Sequence, residues 1–192
     1  MSIVKRILVL SVIAGMLALS GFAATGATWQ PFDFEGNERY RYRVLWNDGD
    51  EQSAIYELGI EEDAEGNFKV SYSTEVTISP NELSEQLVFG FWGGYGPSLS
   101  FLFLNPMYEM LFSQLELTVG EKMSYYGQGK MEVVSMETIA GLEGYVCKFY
   151  ESDDELVAEW VINPGMALPL RSRMYEGSGL EGEIELLNYE KL

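Results

Sequence analysis

Tyr40-Arg41-Tyr42-Arg43-Val44-Leu45-Trp46 alternates strictly, with Tyr40, Tyr42, Val44 and Trp46 on one side of an extended chain and Arg39, Arg41 and Arg43 on the other. Successive side chains of a strand point to opposite faces, so this period of two predicts a strand with one apolar face. Asn47-Asp48-Gly49-Asp50 follows as a hairpin turn, and the chain returns from Ser53 to Ile60. Ala64-Glu65-Gly66-Asn67 is the next turn. In the strand after it, Phe68, Val70, Tyr72, Thr74, Val76 and Ile78 face one way, and Lys69, Ser71, Ser73, Glu75 and Thr77 the other. Three consecutive antiparallel strands with one apolar face are therefore predicted.

The alternation stops at Ser79-Pro80. Between Glu85 and Glu109 the chain runs without a charge, QLVFGFWGGYGPSLSFLFLNPMY, from Gln86 to Tyr108. That length could span a bilayer. Yet Gly90, Gly93, Gly94, Gly96, Pro97 and Pro106 interrupt it, and backbone groups freed by such breaks cannot stay unpaired in lipid. The stretch is predicted to be buried in protein or to form an apolar cover over a cavity. Asn105-Pro106 supplies an N-cap and a first helical position, opening a helix through Met107, Met110, Leu111, Phe112 and Leu115. Apolar residues lie on more than one side of it, which predicts heavy burial. Strand patterns resume at Met123–Tyr126, Lys130–Ile139, Tyr145–Glu151, Leu156–Ile162, Leu168–Tyr175 and Glu183–Tyr189, separated by turns rich in Gly, Asn and Asp. The predicted fold class is mainly β, one curved antiparallel sheet packed over a helical insert at about 80–116.

Lys5 and Arg6 precede the apolar run Ile7–Leu19, and small residues follow at Ser20, Gly21, Ala23, Ala24, Gly26 and Ala27. This is the three-part layout of a secretory signal peptide, expected over 1–24 with cleavage after Ala23, Ala24 or Ala27. Residues 25–192 then form one domain, long enough for a real core, in a periplasmic or extracellular protein. Losing Lys5 and Arg6 takes the formal charge from −18 to −20. Such a field repels nucleic acid and anionic membrane surfaces and attracts cationic partners.

Cys147 is the single cysteine, so no internal disulfide forms and packing alone holds the fold. It shares a strand face with Tyr145 and Phe149, the setting of a buried, inert thiol. The chain has no histidine, which excludes Ser-His-Asp and Cys-His catalysis, His-ligated zinc and His-ligated haem. Asn47–Glu51 and Glu151–Glu155 are acidic but lack the spacing of a calcium loop, and they read as solvated turns. Close carboxylate pairs are uninformative in a chain with 30 acids. Arg39, Arg41 and Arg43 interleave with Tyr40 and Tyr42 like a single-strand nucleic-acid platform, but the net charge opposes it. Their expected role is cross-strand pairing with acids such as Glu57 and Glu61, with Arg171 and Arg173 similarly placed on a late strand. No enzyme, cofactor or metal is expected.

Three pieces together resemble the LolA/LolB-type superfamily of bacterial envelope proteins, including its uncharacterised exported branches. They are Pro31-Phe32, Gly36, Tyr40, Tyr42 and Trp46; Leu117-Thr118-Val119-Gly120-Glu121 with Ile139-Ala140-Gly141 and Tyr145-Val146-Cys147; and Trp160-Val161-Ile162-Asn163-Pro164 leading to Leu168-Pro169-Leu170. The resemblance implies a half-barrel, a sheet curled around helices, with a hydrophobic cavity in which carriers of this type hold acyl chains. It puts the expected ligand-binding residues at Phe91, Trp92, Phe101 and Phe103 and, on the helix, Met107, Met110, Leu111 and Phe112; methionine adapts to variable apolar shapes. Two departures stand out. The run Phe91–Gly96 matches no motif of the family, and no N-terminal lipid-anchor cysteine is present, so a tethered acceptor is not expected. The expected partner is a lipid or lipoprotein acyl chain; the alternative is a non-enzymatic envelope protein-interaction or assembly module with a filled core.

Overall fold

The computed structural model describes residues 26–47, 51–76, 107–125, 127 and 129–192. The expected signal peptide, 1–24, and most of the expected insert, including Phe91, Trp92, Phe101 and Phe103, lie outside the described residues. In chain order the elements are β1 (Glu38–Asn47), β2 (Glu51–Glu62), β3 (Phe68–Val76), α1 (Met107–Phe112), β4 (Lys122–Tyr125), β5 (Gly129–Ile139), β6 (Leu142–Tyr150), β7 (Leu156–Ile162), β8 (Arg171–Glu176) and β9 (Gly179–Lys191).

The nine strands among the described residues form one antiparallel sheet in the order β3-β2-β1-β9-β8-β7-β6-β5-β4. Two meanders, β1–β3 and β4–β9, are joined by the pairing of β1 with β9, so the first and last strands lie side by side in the interior of the sheet. The sheet is open, with β3 and β4 at its two edges. These are consecutive strands. α1 lies between them in the sequence. Register shifts at Arg41/Tyr42, Val133/Ser135, Phe149/Tyr150 and Met174/Tyr175 each put extra chain on one strand, which sharpens twist and bends the sheet.

The alternation sorts side chains onto two faces. Direct neighbours run Ala54, Val44, Ile184, Ser172, Trp160, Cys147, Val133 across seven strands. This face meets α1. On the opposite face Glu183, Arg173, Glu159, Lys148, Glu132 and Lys122 stand opposite one another across six strands, alternating in sign at every step. Gly144 lies on this second face, where an added Cβ would come within 2.7 Å of Val161 Cγ1 and 3.0 Å of Leu170 Cδ1. Two clusters make the core. One gathers Tyr40, Tyr42, Leu58, Leu168 and Ile184; the other gathers Trp29, Tyr108, Phe112, Met131, Cys147 and Trp160, and Phe32 packs against both.

Two expectations change. The apolar side of β3 is exposed, because β3 is an edge strand and no described residue covers it. Arg39 reaches Glu57 at 3.6 Å as expected, but Glu61 pairs with Lys69 at 3.1 Å, while Arg41 meets Glu75 at 3.6 Å and Arg43 turns to β9.

Cys147 is buried, and burial pushes its thiol up to about 12. Thiolate is the reactive form. The folded protein is expected to resist alkylation by iodoacetamide at pH 8 and to react fully once unfolded in urea; rapid native labelling, followed by mass spectrometry, would place Cys147 at the surface.

Candidate functional site

α1 presents Tyr108, Leu111 and Phe112 to the sheet, the three- and four-residue spacing of one helical face, and leaves Glu109 exposed. Tyr108 and Phe112 interlock with Trp29, from the entry loop that precedes β1, and with Trp160 from β7. The ring centroids are 5.1 Å apart for Trp29 and Phe112, 5.5 Å for Trp29 and Tyr108, and 5.6 Å for Phe112 and Trp160. The arrangements are tilted or edge-on, which suits the charge distribution of aromatic rings. Polar tips are anchored as well. Trp29 Nε1 donates to the Met166 carbonyl at 2.6 Å, Tyr108 Oη lies 3.3 Å from Ser172 Oγ, and the Tyr125 hydroxyl donates to the Leu111 carbonyl. Burial pushes the Tyr108 hydroxyl up to about 12, so it stays protonated.

Backbone bonds tie the entry loop down: Leu117 N–H donates to the Ala27 carbonyl at 2.9 Å and Phe32 N–H to the Ala167 carbonyl at 2.8 Å. Phe32 takes a φ of 64°, a left-handed conformation unusual for a bulky residue. Between this loop and the outer side of α1 opens a groove of about 470 Å³, lined by residues 28–33, Glu109 and Ser113. Its charged lining residues, Asp33 and Glu109, are both acidic and exposed.

The expected ligand-binding residues fall in three settings. Leu111 and Phe112 are buried in the aromatic cluster, Met107 and Met110 are half-buried on α1, and Phe91, Trp92, Phe101 and Phe103 lie outside the described residues. Sequence reasoning missed Trp29 and Phe32 as the second wall. Their signal was faint: two aromatics in a loop without periodicity.

The charged face is also organised. Arg171 meets Glu137 with a forked pair of bonds at 2.7 and 2.6 Å, spanning β6 and β7, and bonds Glu159 at 3.0 Å. Arg173 joins Glu183 at 2.6 Å and Glu159 at 3.2 Å; Arg43 joins Glu185 at 3.0 Å; Lys148 lies 3.5 Å from Glu159. Arg43, Lys148, Arg171 and Arg173 thus balance Glu137, Glu159, Glu183 and Glu185. Balance permits burial of Arg171, Glu159 and Glu183, which unpaired charges would forbid. The forked bond to Arg171 holds the Glu137 carboxyl below its ordinary 4.5. A lowered folded value contributes stability that is fully present above 4.5 and is lost as pH falls through the lowered value. Urea unfolding of wild type and Glu137→Gln is expected to diverge above pH 4.5 and converge in acid; curves parallel at all pH values would remove Glu137 from the network.

Among the described residues no group of three or more His, Cys, Asp or Glu side chains is placed to hold a metal ion, and no helix is long and apolar enough to cross a membrane. No protein-family model matches the chain. No curated protein matches it either. Among solved structures, MucB in complex with MucA(peri) is similar over 82% of this chain and 50% of its own, at 12% identity and a TM-score of 0.43. MucB alone is similar over 83% and 55%, at 10% identity and a TM-score of 0.43. This chain thus spans about half the length of those structures.

Proposed function

We propose that this is an exported, non-enzymatic protein-interaction module of the bacterial envelope. The observation that carries this reading is the filled space between α1 and the sheet: Trp29, Tyr108, Phe112 and Trp160 meet ring to ring, and Tyr108 and Phe112 are fully buried. A tight core favours a scaffold that works through its surface, whereas a carrier needs an apolar void of a few hundred Å³. The recognition surface is the groove between residues 28–33 and the outer side of α1, where Asp33 and Glu109 suit a partner segment bearing Lys or Arg. Photo-crosslinkers placed at Gln30 and Glu109 in the native host are expected to trap a discrete protein product that a control at Asp153 does not. No product at either groove position, or equal products at all three, would refute the assignment.

A second reading rests on the charge-free stretch Gln86–Tyr108. It leads in sequence into α1, where Met107 and Met110 are half-buried. On this reading a lipid or lipoprotein acyl chain binds between sheet and insert, with Phe91, Trp92, Phe101 and Phe103 contributing. Trp92→Ala and Phe103→Ala would then reduce uptake of a fluorescent fatty-acid probe with little loss of stability. Destabilised variants that still bind like wild type, or a wild type that takes up no probe, would dismiss it.

A further inference from the structure

We infer that β3 is a self-complementary edge, built to pair antiparallel with β3 of a second copy of this chain about a two-fold axis at Tyr72. This surface is separate from the groove described above. The strand's outer edge pairs with no described strand, and the register of β3 on β2 is continuous, without a bulge to turn the edge away. A long regular edge with apolar side chains is a template for another strand, and proteins usually blunt one with bulges, prolines or several lysines. β3 carries none of these except Lys69. Its Phe68, Val70, Tyr72 and Val76 are 52%, 44%, 56% and 37% exposed.

The sequence of β3, Phe-Lys-Val-Ser-Tyr-Ser-Thr-Glu-Val, reads almost the same chemically in both directions. Centred on Tyr72, antiparallel pairing sets Lys69 opposite Glu75 of the second copy, Phe68 opposite Val76, Val70 opposite Thr74 and Ser71 opposite Ser73. Closed two-fold symmetry repeats each contact, so both charge pairs form. Within each copy Lys69 contacts Glu61 at 3.1 Å and Glu75 contacts Arg41 at 3.6 Å. The junction therefore continues an alternating row: Glu61, Lys69, then Glu75 and Arg41 of the second copy. Moving the axis to Ser71 or Ser73 loses both charge pairs. A shift of the register by one residue sets the apolar side of one copy beside the polar side of the other. Charge complementarity thus selects one occupant and one register, despite the repulsion between two acidic chains. A foreign extended peptide would have no reason to reproduce this symmetry.

Sedimentation of the purified protein at rising concentration is expected to show a monomer–dimer equilibrium. Lys69→Glu and Glu75→Lys should each sediment as monomers, because each sets like charges face to face twice. Mixing the two variants in equal amounts should restore a dimer, in which every opposed pair is again of unlike sign. Both side chains are largely exposed, and far-UV circular dichroism checks that the variants stay folded. A wild type that remains monomeric throughout, including one whose edge takes up only foreign peptides, would overturn the proposal. So would a dimer indifferent to both substitutions, or variants that fail to re-associate when mixed.

Discussion

Phe112→Ala is expected to lower the free energy of unfolding by about 3–5 kcal/mol, the usual loss for a fully buried aromatic whose site cannot collapse. Phe112 is held between Trp29 and Trp160, with centroids at 5.1 and 5.6 Å, and both neighbours are themselves fixed. Trp29 is pinned by its bond to the Met166 carbonyl, and Trp160 stands on β7 between the strands that carry Ser172 and Cys147. Relaxation into the space left behind is therefore limited. Glu109→Ala, on the exposed side of the same helix, should change stability by less than about 0.5 kcal/mol. Urea denaturation of the two variants measures both. A small effect at Phe112 would mean that α1 docks loosely and that the space beneath it is not filled.

Arg171→Met is expected to cost about 3–5 kcal/mol, because it leaves the buried Glu159 carboxylate without its nearest cation. Glu159 loses a bond of 3.0 Å while its side chain remains 7% exposed, and Glu137 loses both arms of its forked contact. Arg173 and Lys148 still face Glu159, which places the loss toward the lower end. Removing the carboxylate as well should recover part of it. Arg171→Met with Glu159→Leu is expected to be more stable than Arg171→Met alone, since an apolar pair removes the uncompensated charge. A double variant no better than the single one would show that packing of the arginine stem, rather than charge balance, governs this face.

These two regions differ in how far the sequence announced them. The strands of the first meander were legible from the Tyr40–Trp46 alternation, because a period of two in an apolar and charged pattern has one physical reading. The same alternation says which side of β3 is apolar, but coverage of that side depends on what packs there, and β3 is an edge. β6 begins at Leu142 rather than Tyr145 because Ala140 and Gly141 both take positive φ, 50° and 80°, and make a tight turn without the usual Asn-Gly signal. Leu168–Leu170 reads as strand, yet Pro169 lacks the N–H that a ladder needs, and β8 starts at Arg171. The pairing of β1 with β9 was not legible at all, since nothing local specifies a contact between residues so distant in the chain.

Ion pairing was legible only between neighbours. Arg39 with Glu57 follows from one hairpin, but the balanced cluster around Arg171 draws on six strands, and strand order had to be known first. The helix of the candidate site was announced by Asn105-Pro106 and its apolar spacing, and Leu111 and Phe112 turn inward as that spacing requires. Trp29 and Phe32 reach the site from an irregular loop, where no periodicity marks an inward-facing residue.

The central claim is that the space between α1 and the sheet is filled by the protein's own side chains. Native mass spectrometry of the protein purified from its own envelope, with organic extraction of the same sample, tests it most directly. The filled-core account predicts the bare polypeptide mass, or a dimer of it, and an extract without stoichiometric lipid. Repeated recovery of one bound acyl chain per protein, lost together with Trp92→Ala or Phe103→Ala, would contradict it and establish the carrier in its place.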